Sequence, residues 1–298
     1  MAAQIIDGNA VAAEMRAEMK LEVAELKDQH GVVPGLAVIL VGMDPASTVY
    51  VRKKGEACHE LGIESYEFKQ PADFGEADLL QLIAKLNQDR KVDGILVQLP
   101  LPKHINEQKV LYLIDPDKDV DGFHPVNVGR LMIGDAYFLP CTPHGCQELL
   151  VRSGTKIEGA EVVVVGRSNI VGKPITMMLV QKAKNANATV TVCHTRTKDM
   201  AAHTRRADIL IAAAGVPEMI TGDMIKPGAT VIDVGVNRID NPDKNSDKKT
   251  KLVGDVHFAS AREVAGKITP VPGGVGPMTI TMLMKNTIKA ARLHHGIK

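Results

Sequence analysis

Apolar and polar positions alternate along this chain with two periods, one helical and one extended. Residues 8–27 place Val11, Met15, Met19 and Val23 or Leu26 on one helical face. Residues 36–41 are an unbroken apolar run, as in a strand covered on both sides. A helix is predicted over 47–61, a strand over 63–68, a helix over 77–86 and a strand over 94–99, closed by Pro100-Leu101-Pro102. Residues 115–139 break the rhythm with Pro116, Gly122, Pro125, Gly129 and Gly134, and read as a long irregular loop of the kind that carries function. A second series follows. Thr142-Pro143 opens a helix to 151, and strands are predicted over 161–165, 188–193, 209–214 and 230–234, with a helix over 171–181. Residues 241–249 read as an exposed hairpin tip or loop, 269–277 as a Pro/Gly loop and 279–293 as a last helix. Such alternation predicts an α/β protein of two domains, each with a mostly parallel sheet covered by helices.

Length supports that division, because 298 residues exceed what one hydrophobic core usually organises. A net charge of +1 argues against a general polyanion binder. With no Trp and few aromatics, base-stacking platforms are also excluded, so no nucleic-acid partner is expected. No apolar run reaches the length of a membrane span, and no secretory leader pattern opens the chain. Cys58, Cys141, Cys146 and Cys193 form no paired framework, which fits a reduced, cytoplasmic protein. The histidines show no metal-ligand spacing, so no metal is expected.

Two stretches carry candidate chemistry. In the helix after the first strand, Tyr50 and Lys54 are four residues apart and share a face. Pro45 suits the first helical turn, Ser47 or Asp44 can cap it, and Gly62 can end it. By itself the pair reads more readily as a solvated helix face. The second stretch runs from Val162 to Pro174, where four valines lead into Gly166-Arg167-Ser168 and then Gly172. Gly166 permits a tight turn, Gly172 a close helix approach, and helix-start amides suit phosphate. The next strand ends in His194-Thr195-Arg196, without the acidic residue that holds a ribose 2′-hydroxyl. Arg196, Thr195 and Arg167 instead suit a 2′-phosphate, which favours NADP over NAD. A Cys/His nucleophile at Cys141 and His144 is disfavoured, because Pro143 marks a helix entry there.

Six motifs then stand in order: 50–54 (YVRKK), 94–102 (GILVQLPLP), 116–122 (PDKDVDG), 140–145 (PCTPHG), 165–168 (VGRS) and 270–279 (PVPGGVGPMT). Together they resemble the bifunctional methylenetetrahydrofolate dehydrogenase/methenyltetrahydrofolate cyclohydrolase family over nearly the whole chain. The resemblance implies a homodimer with a folate-binding catalytic domain, 1–140, and a Rossmann-type NADP-binding domain, 141–277. The last helix, 278–298, would pack back on the first. It implies NADP-dependent oxidation of 5,10-methylenetetrahydrofolate, then hydrolysis of the methenyl cation to 10-formyltetrahydrofolate. Lys54 is implied as the central group of the hydrolytic step, Gln98 as its hydrogen-bond partner, Tyr50 as a stacking surface and Asp121 as the pterin anchor. Gly273, Gly276 and Pro277 are implied at the substrate, and Val236 on the nicotinamide side. The 241–249 segment is longer than this hairpin usually is in the family. A shikimate-type dehydrogenase needs a Lys/Asp pair poised at a hydroxyl, which this set fits poorly. A nucleotide sensor without catalysis would show damage at Lys54 or Asp121, and neither is damaged.

Overall fold

A computed structural model describes residues 2–241 and 249–297. In chain order the elements are β1 (Gln4–Ile5), α1 (Gly8–His30), β2 (Gly35–Val41), α2 (Pro45–Leu61), β3 (Glu64–Gln70), α3 (Glu76–Gln88) and β4 (Gly94–Val97). Then come α4 (Glu107–Leu113), α5 (Pro125–Ile133), α6 (Cys141–Arg152), β5 (Glu161–Val165), α7 (Gly172–Val180), β6 (Thr189–Cys193), α8 (Met200–Thr204) and β7 (Ile209–Ala212). After a short 3-10 turn at Gly222–Met224 follow β8 (Thr230–Asp233), β9 (Asn237–Asp240), β10 (Thr250–Val253), α9 (Phe258–Arg262), β11 (Lys267–Ile268) and α10 (Val275–His294).

The chain divides into two units, Ala13–Cys141 with Ile280–Lys298, and Met1–Ala12 with Thr142–Thr279. The first unit is built on a parallel sheet of order β3-β2-β4. Every residue of β2 is buried, as its apolar run demands. Ala37, Ile39 and Val41 pack with Leu79 and Ile83 of α3 and Val110 of α4. Each such side chain contributes roughly 1.5–3 kcal/mol by leaving water. The second unit holds a six-stranded parallel sheet of order β1-β11-β8-β7-β5-β6, with β9 and β10 forming a separate antiparallel hairpin. The expected 241–249 tip lies mostly outside the described residues, between those two strands.

Three expectations need correction. Residues 2–12 group with the second unit, not the first, because β1 pairs in parallel with β11 and Ile6 donates its N–H to Ile268. Segment 115–139 is not one loop: it contains α5, capped by His124, opened by Pro125 and ended by Gly134 at φ 82°. The last helix starts at Val275, so Gly276 and Pro277 stand in its first turn rather than in a loop.

Candidate active site

In the first unit the segments that follow β2 and β4 carry the candidate residues Lys54 and Gln98. Asp44 caps α2 by accepting from the Ser47 N–H at 2.8 Å, and Gly62, at φ 79°, closes the helix. Between these stops the four-residue spacing puts Tyr50 and Lys54 on a common side of α2. Tyr50 is half-buried, whereas Lys54 is 6% exposed. Arg52 and Lys53 remain exposed, Arg52 paired to Glu56 one turn on.

Lys54 Nζ donates to Gln98 Oε1 at 2.8 Å. Gln98 follows β4 directly, and its own Nε2 donates to Leu99 O at 2.7 Å, which turns the amide oxygen toward the lysine. Its backbone N–H is held by Ile39 O. A neutral amide can thus orient the amine without fixing it as an ion pair.

Asp121 reaches the same place by a different route. The 115–122 segment runs beside β4, with Ile95 donating to Lys118 O and a parallel bridge between Ile95 and Asp119. Asp119 is buried and accepts from the His124 N–H and Asn127 Nδ2, both at 2.8 Å. Val120 O accepts from Asn286 Nδ2 of α10 at 2.7 Å and from Cys141 Sγ at 3.3 Å. Gly122 sits at φ 74°, and a Cβ there would lie 3.0 Å from Pro140 N. Asp121 is therefore clamped on both sides. Asn286 had no signal in sequence, because it sits on an ordinary helix face 166 residues from its acceptor.

Burial governs the proton affinities. It lowers the Lys54 ammonium below the ordinary lysine range, against the opposing pull of Asp121. It raises the Asp121 carboxyl, against the opposing pull of Lys54. Both shifts favour the uncharged form over the charged one. Burial also raises the Tyr50 phenol. It holds the Cys141 thiol well above its usual range and pushes Cys58 and Cys146 up to about 12. None of these three thiols is a nucleophile near neutral pH. His144 instead faces Glu148 across one turn of α6, at 3.6 Å.

The second unit carries the dinucleotide features. Strands β6 and β7 flank β5, so the connection from β5 runs to one side and the next, from β6, returns to the other. That reversal is where parallel sheets bind ligands, at the carboxyl ends of the strands. Gly166 leaves β5 at φ 136°, and a Cβ there would stand 2.1 Å from Ala213 O. A Cβ on Gly172 would stand 2.3 Å from Gly166 O. These two glycines keep open a cradle that any side chain would fill. Ser168 Oγ accepts from the N–H groups of Val171 and Gly172, at 3.1 and 3.3 Å, so it organises the entrance to α7. Because Val165 is in register with Cys193, Arg167 and Thr195-Arg196 leave neighbouring strands at one edge of the sheet. Arg167, Thr195 and Arg196 are exposed, as a 2′-phosphate requires. Val236 follows β8 and is 52% exposed, an apolar side chain presented at that same edge. These residues fit a phosphorylated dinucleotide.

Gly273, Gly276 and Pro277 also belong to the second unit. Gly273 stands at φ 103°, and a Cβ on Gly8 would lie 1.8 Å from Gly274 O, so the start of α1 packs tightly on this turn. The structure thus gathers Lys54, Gln98 and Asp121 in one unit and the glycine turn and dinucleotide cradle in the other.

Residues 6–121 match the family model described as tetrahydrofolate dehydrogenase/cyclohydrolase, catalytic domain, and residues 140–295 match its NAD(P)-binding domain. A curated relative from Syntrophobacter fumaroxidans, "Bifunctional protein FolD", is 66% identical over 100% of both chains. Among solved structures, the bifunctional FolD methylenetetrahydrofolate dehydrogenase/cyclohydrolase of Campylobacter jejuni is 47% identical. It has a TM-score of 0.91 and covers 98% of this chain and 99% of its own. The Trypanosoma brucei enzyme, solved with NADP cofactor and inhibitor, is 41% identical with a TM-score of 0.92 and covers 98% of both chains.

Proposed function

The chain belongs to the tetrahydrofolate dehydrogenase/cyclohydrolase family, and from that premise we propose that Lys54 is its proton-transfer group. The protein is a bifunctional one-carbon folate enzyme. It oxidises 5,10-methylenetetrahydrofolate to the 5,10-methenyl cation with NADP, then hydrolyses that cation to 10-formyltetrahydrofolate. Bound NADP supplies the hydride acceptor. Gly166 and Gly172 leave room for its diphosphate, Ser168 orders the turn, and Arg167, Thr195 and Arg196 take the 2′-phosphate. Val236 lies on the nicotinamide side.

The observation that carries the proposal is a buried lysine with lowered proton affinity, bonded to a neutral amide and beside a buried carboxyl. Water attacks the methenyl carbon while neutral Lys54 takes one of its protons, forming the C–O bond. The resulting ammonium then returns a proton to the pterin nitrogen as its bond to that carbon breaks, and the remaining hydroxyl proton passes to solvent as the formyl C=O forms. The formyl group stays on the other nitrogen. Repulsion between the methenyl cation and a protonated Lys54 favours the neutral amine further. Asp121 accepts from the aminopyrimidinone edge, and Tyr50 stacks on the folate. Gly273, Gly276 and Pro277 are assigned to the substrate by the family resemblance. These roles rest on the family resemblance and on the side-chain chemistry. The same grounds support a cytoplasmic homodimer without a nucleic-acid partner. Among the described residues no helix is long and apolar enough to cross a membrane.

Purified protein given methylenetetrahydrofolate and NADP is expected to form NADPH, read by its absorbance. Arg196→Glu should raise the KM for NADP by about tenfold or more, the scale of a lost charge-assisted contact, and alter that for NAD far less. No NADPH would refute the dehydrogenase reading, and equal effects on both cofactors would remove Arg196 from the 2′-phosphate.

A further inference from the structure

Two carboxylates are buried at the carboxyl edge of the second sheet, and neither role above uses them. Asp233 ends β8 and is 4% exposed, and Asp255 follows β10 and is 0% exposed. Asp233 accepts three backbone N–H bonds: Oδ1 from Gly235 at 3.0 Å and Asp255 at 2.9 Å, and Oδ2 from Val256 at 3.0 Å. It thereby seats the turn that carries Asp255. Asp255 in turn reaches both loops beside the dinucleotide cradle. Its Oδ2 accepts from the N–H groups of Ala214 and Gly215, at 2.6 and 2.8 Å, and its Oδ1 from Asn237 Nδ2 at 2.8 Å.

Each loop it grips bears on the cofactor edge. Ala214 and Gly215 continue the segment whose Ala213 carbonyl fills the space above Gly166. Gly235 and Asn237 bracket Val236, and both are pinned by this pair of carboxylates, which leaves the valine side chain standing out. Two further glycines exist to admit the carboxylates. A Cβ on Gly235 would lie 2.3 Å from Asp255 Oδ1, and one on Gly254 would lie 1.7 Å from Asp233 Oδ2. Burial pushes the Asp233 carboxyl up to about 7, with Asp255 adding to the rise and the backbone donors opposing it. A costly pair of buried acids spent on loop geometry marks a site where position matters.

We propose that Asp255, seated by Asp233, is a positioning residue for the dinucleotide: it clasps the Ala213–Gly215 and Gly235–Asn237 loops so that the cradle and Val236 keep one geometry. This rests on the NADP reading above. Loss of the clasp should weaken cofactor binding more than it slows turnover at saturating cofactor. The test is NADPH titration of the full-length protein by fluorescence, with steady-state kinetics, on Asp255→Ala, Asp255→Asn and Asn237→Ala. Asp255→Ala should raise the NADPH Kd and the KM for NADP by about tenfold, the scale of lost hydrogen bonds to a charged group, with kcat within about threefold. Asn237→Ala removes one arm and should raise Kd about threefold. Asp255→Asn keeps one carbonyl oxygen and should recover much of the loss. Should Asp255→Ala fail to fold, Asn237→Ala carries the prediction of weakened NADPH binding. A lowered unfolding midpoint with wild-type NADPH affinity in every folded variant would reduce Asp255 to a structural role and overturn the proposal. Wild-type protein that binds no NADPH would overturn the cofactor reading and the clasp with it.

Discussion

A lysine in water keeps its proton to about pH 10.4, but Lys54 is enclosed, and burial outweighs the nearby carboxyl in setting its charge. The sequence places Lys54 within three consecutive cations, Arg52-Lys53-Lys54, that no local rule tells apart. Helical steps of about 100° send the three side chains to different faces, and only tertiary contact decides which is covered. The Tyr50/Lys54 spacing was therefore legible and the enclosure of Lys54 was not. Gln98 and Asp121 were named through motif resemblance, whereas Asn286 and Asp255 act through contacts distant in sequence. The pH consequence has a definite sign. In the proposed role protonated Lys54 cannot accept a proton from water, so the competent fraction grows as pH rises through its lowered pKa. Nitrogen NMR of lysine-labelled protein, with the signal assigned by its absence in Lys54→Met, should titrate below about 10.4. A midpoint at or above that value would contradict the enclosure.

At the scale of elements, most of the alternation was readable because strands and helices here are bounded by ordinary stops. Asp44, Pro45 and Gly62 frame α2 as those residue types should. The same chemistry hides α5, where Pro125 and Gly134 look like breakers in sequence but serve as first-turn and terminal residues. The α10 start was misplaced for a related reason, since Pro277 is tolerated in a first helical turn. Strand β1 was missed because two residues carry no periodicity. Helix α10 also contributes Asn286, whose Nδ2 donates to both Val120 O and Leu139 O. Asn286→Leu should take an amide donor from both carbonyls, leaving Val120 O with the weaker Cys141 thiol, and cost about 1–3 kcal/mol, read as a lower urea midpoint. It should also raise the KM for folate, since the turn bearing Asp121 loses a support. Unchanged stability and KM would show that Asp121 is held without it.

At the scale of the whole molecule, chemistry and cofactor features divide between two units. One holds Lys54, Gln98 and Asp121, and the other holds Gly166, Arg196 and the Asp233/Asp255 pair. Motif order along the chain made that division readable, while the placement of residues 2–12 with the second unit was decided by strand pairing. The homodimer proposed from family resemblance predicts a sedimentation mass near twice the 32.1 kDa chain. A monomer at enzyme-assay concentration would refute it. Division of labour also predicts separable activities, because the hydrolytic step proposed for Lys54 uses no hydride acceptor. The most direct measurement is hydrolysis of methenyltetrahydrofolate by Lys54→Met, with circular dichroism confirming the fold and NADPH binding confirming the second unit. Hydrolysis should fall by about 10²–10⁴-fold, the range of general acid–base catalysis, while NADPH affinity stays at the wild-type value. Wild-type hydrolysis by that variant would contradict the role assigned to Lys54.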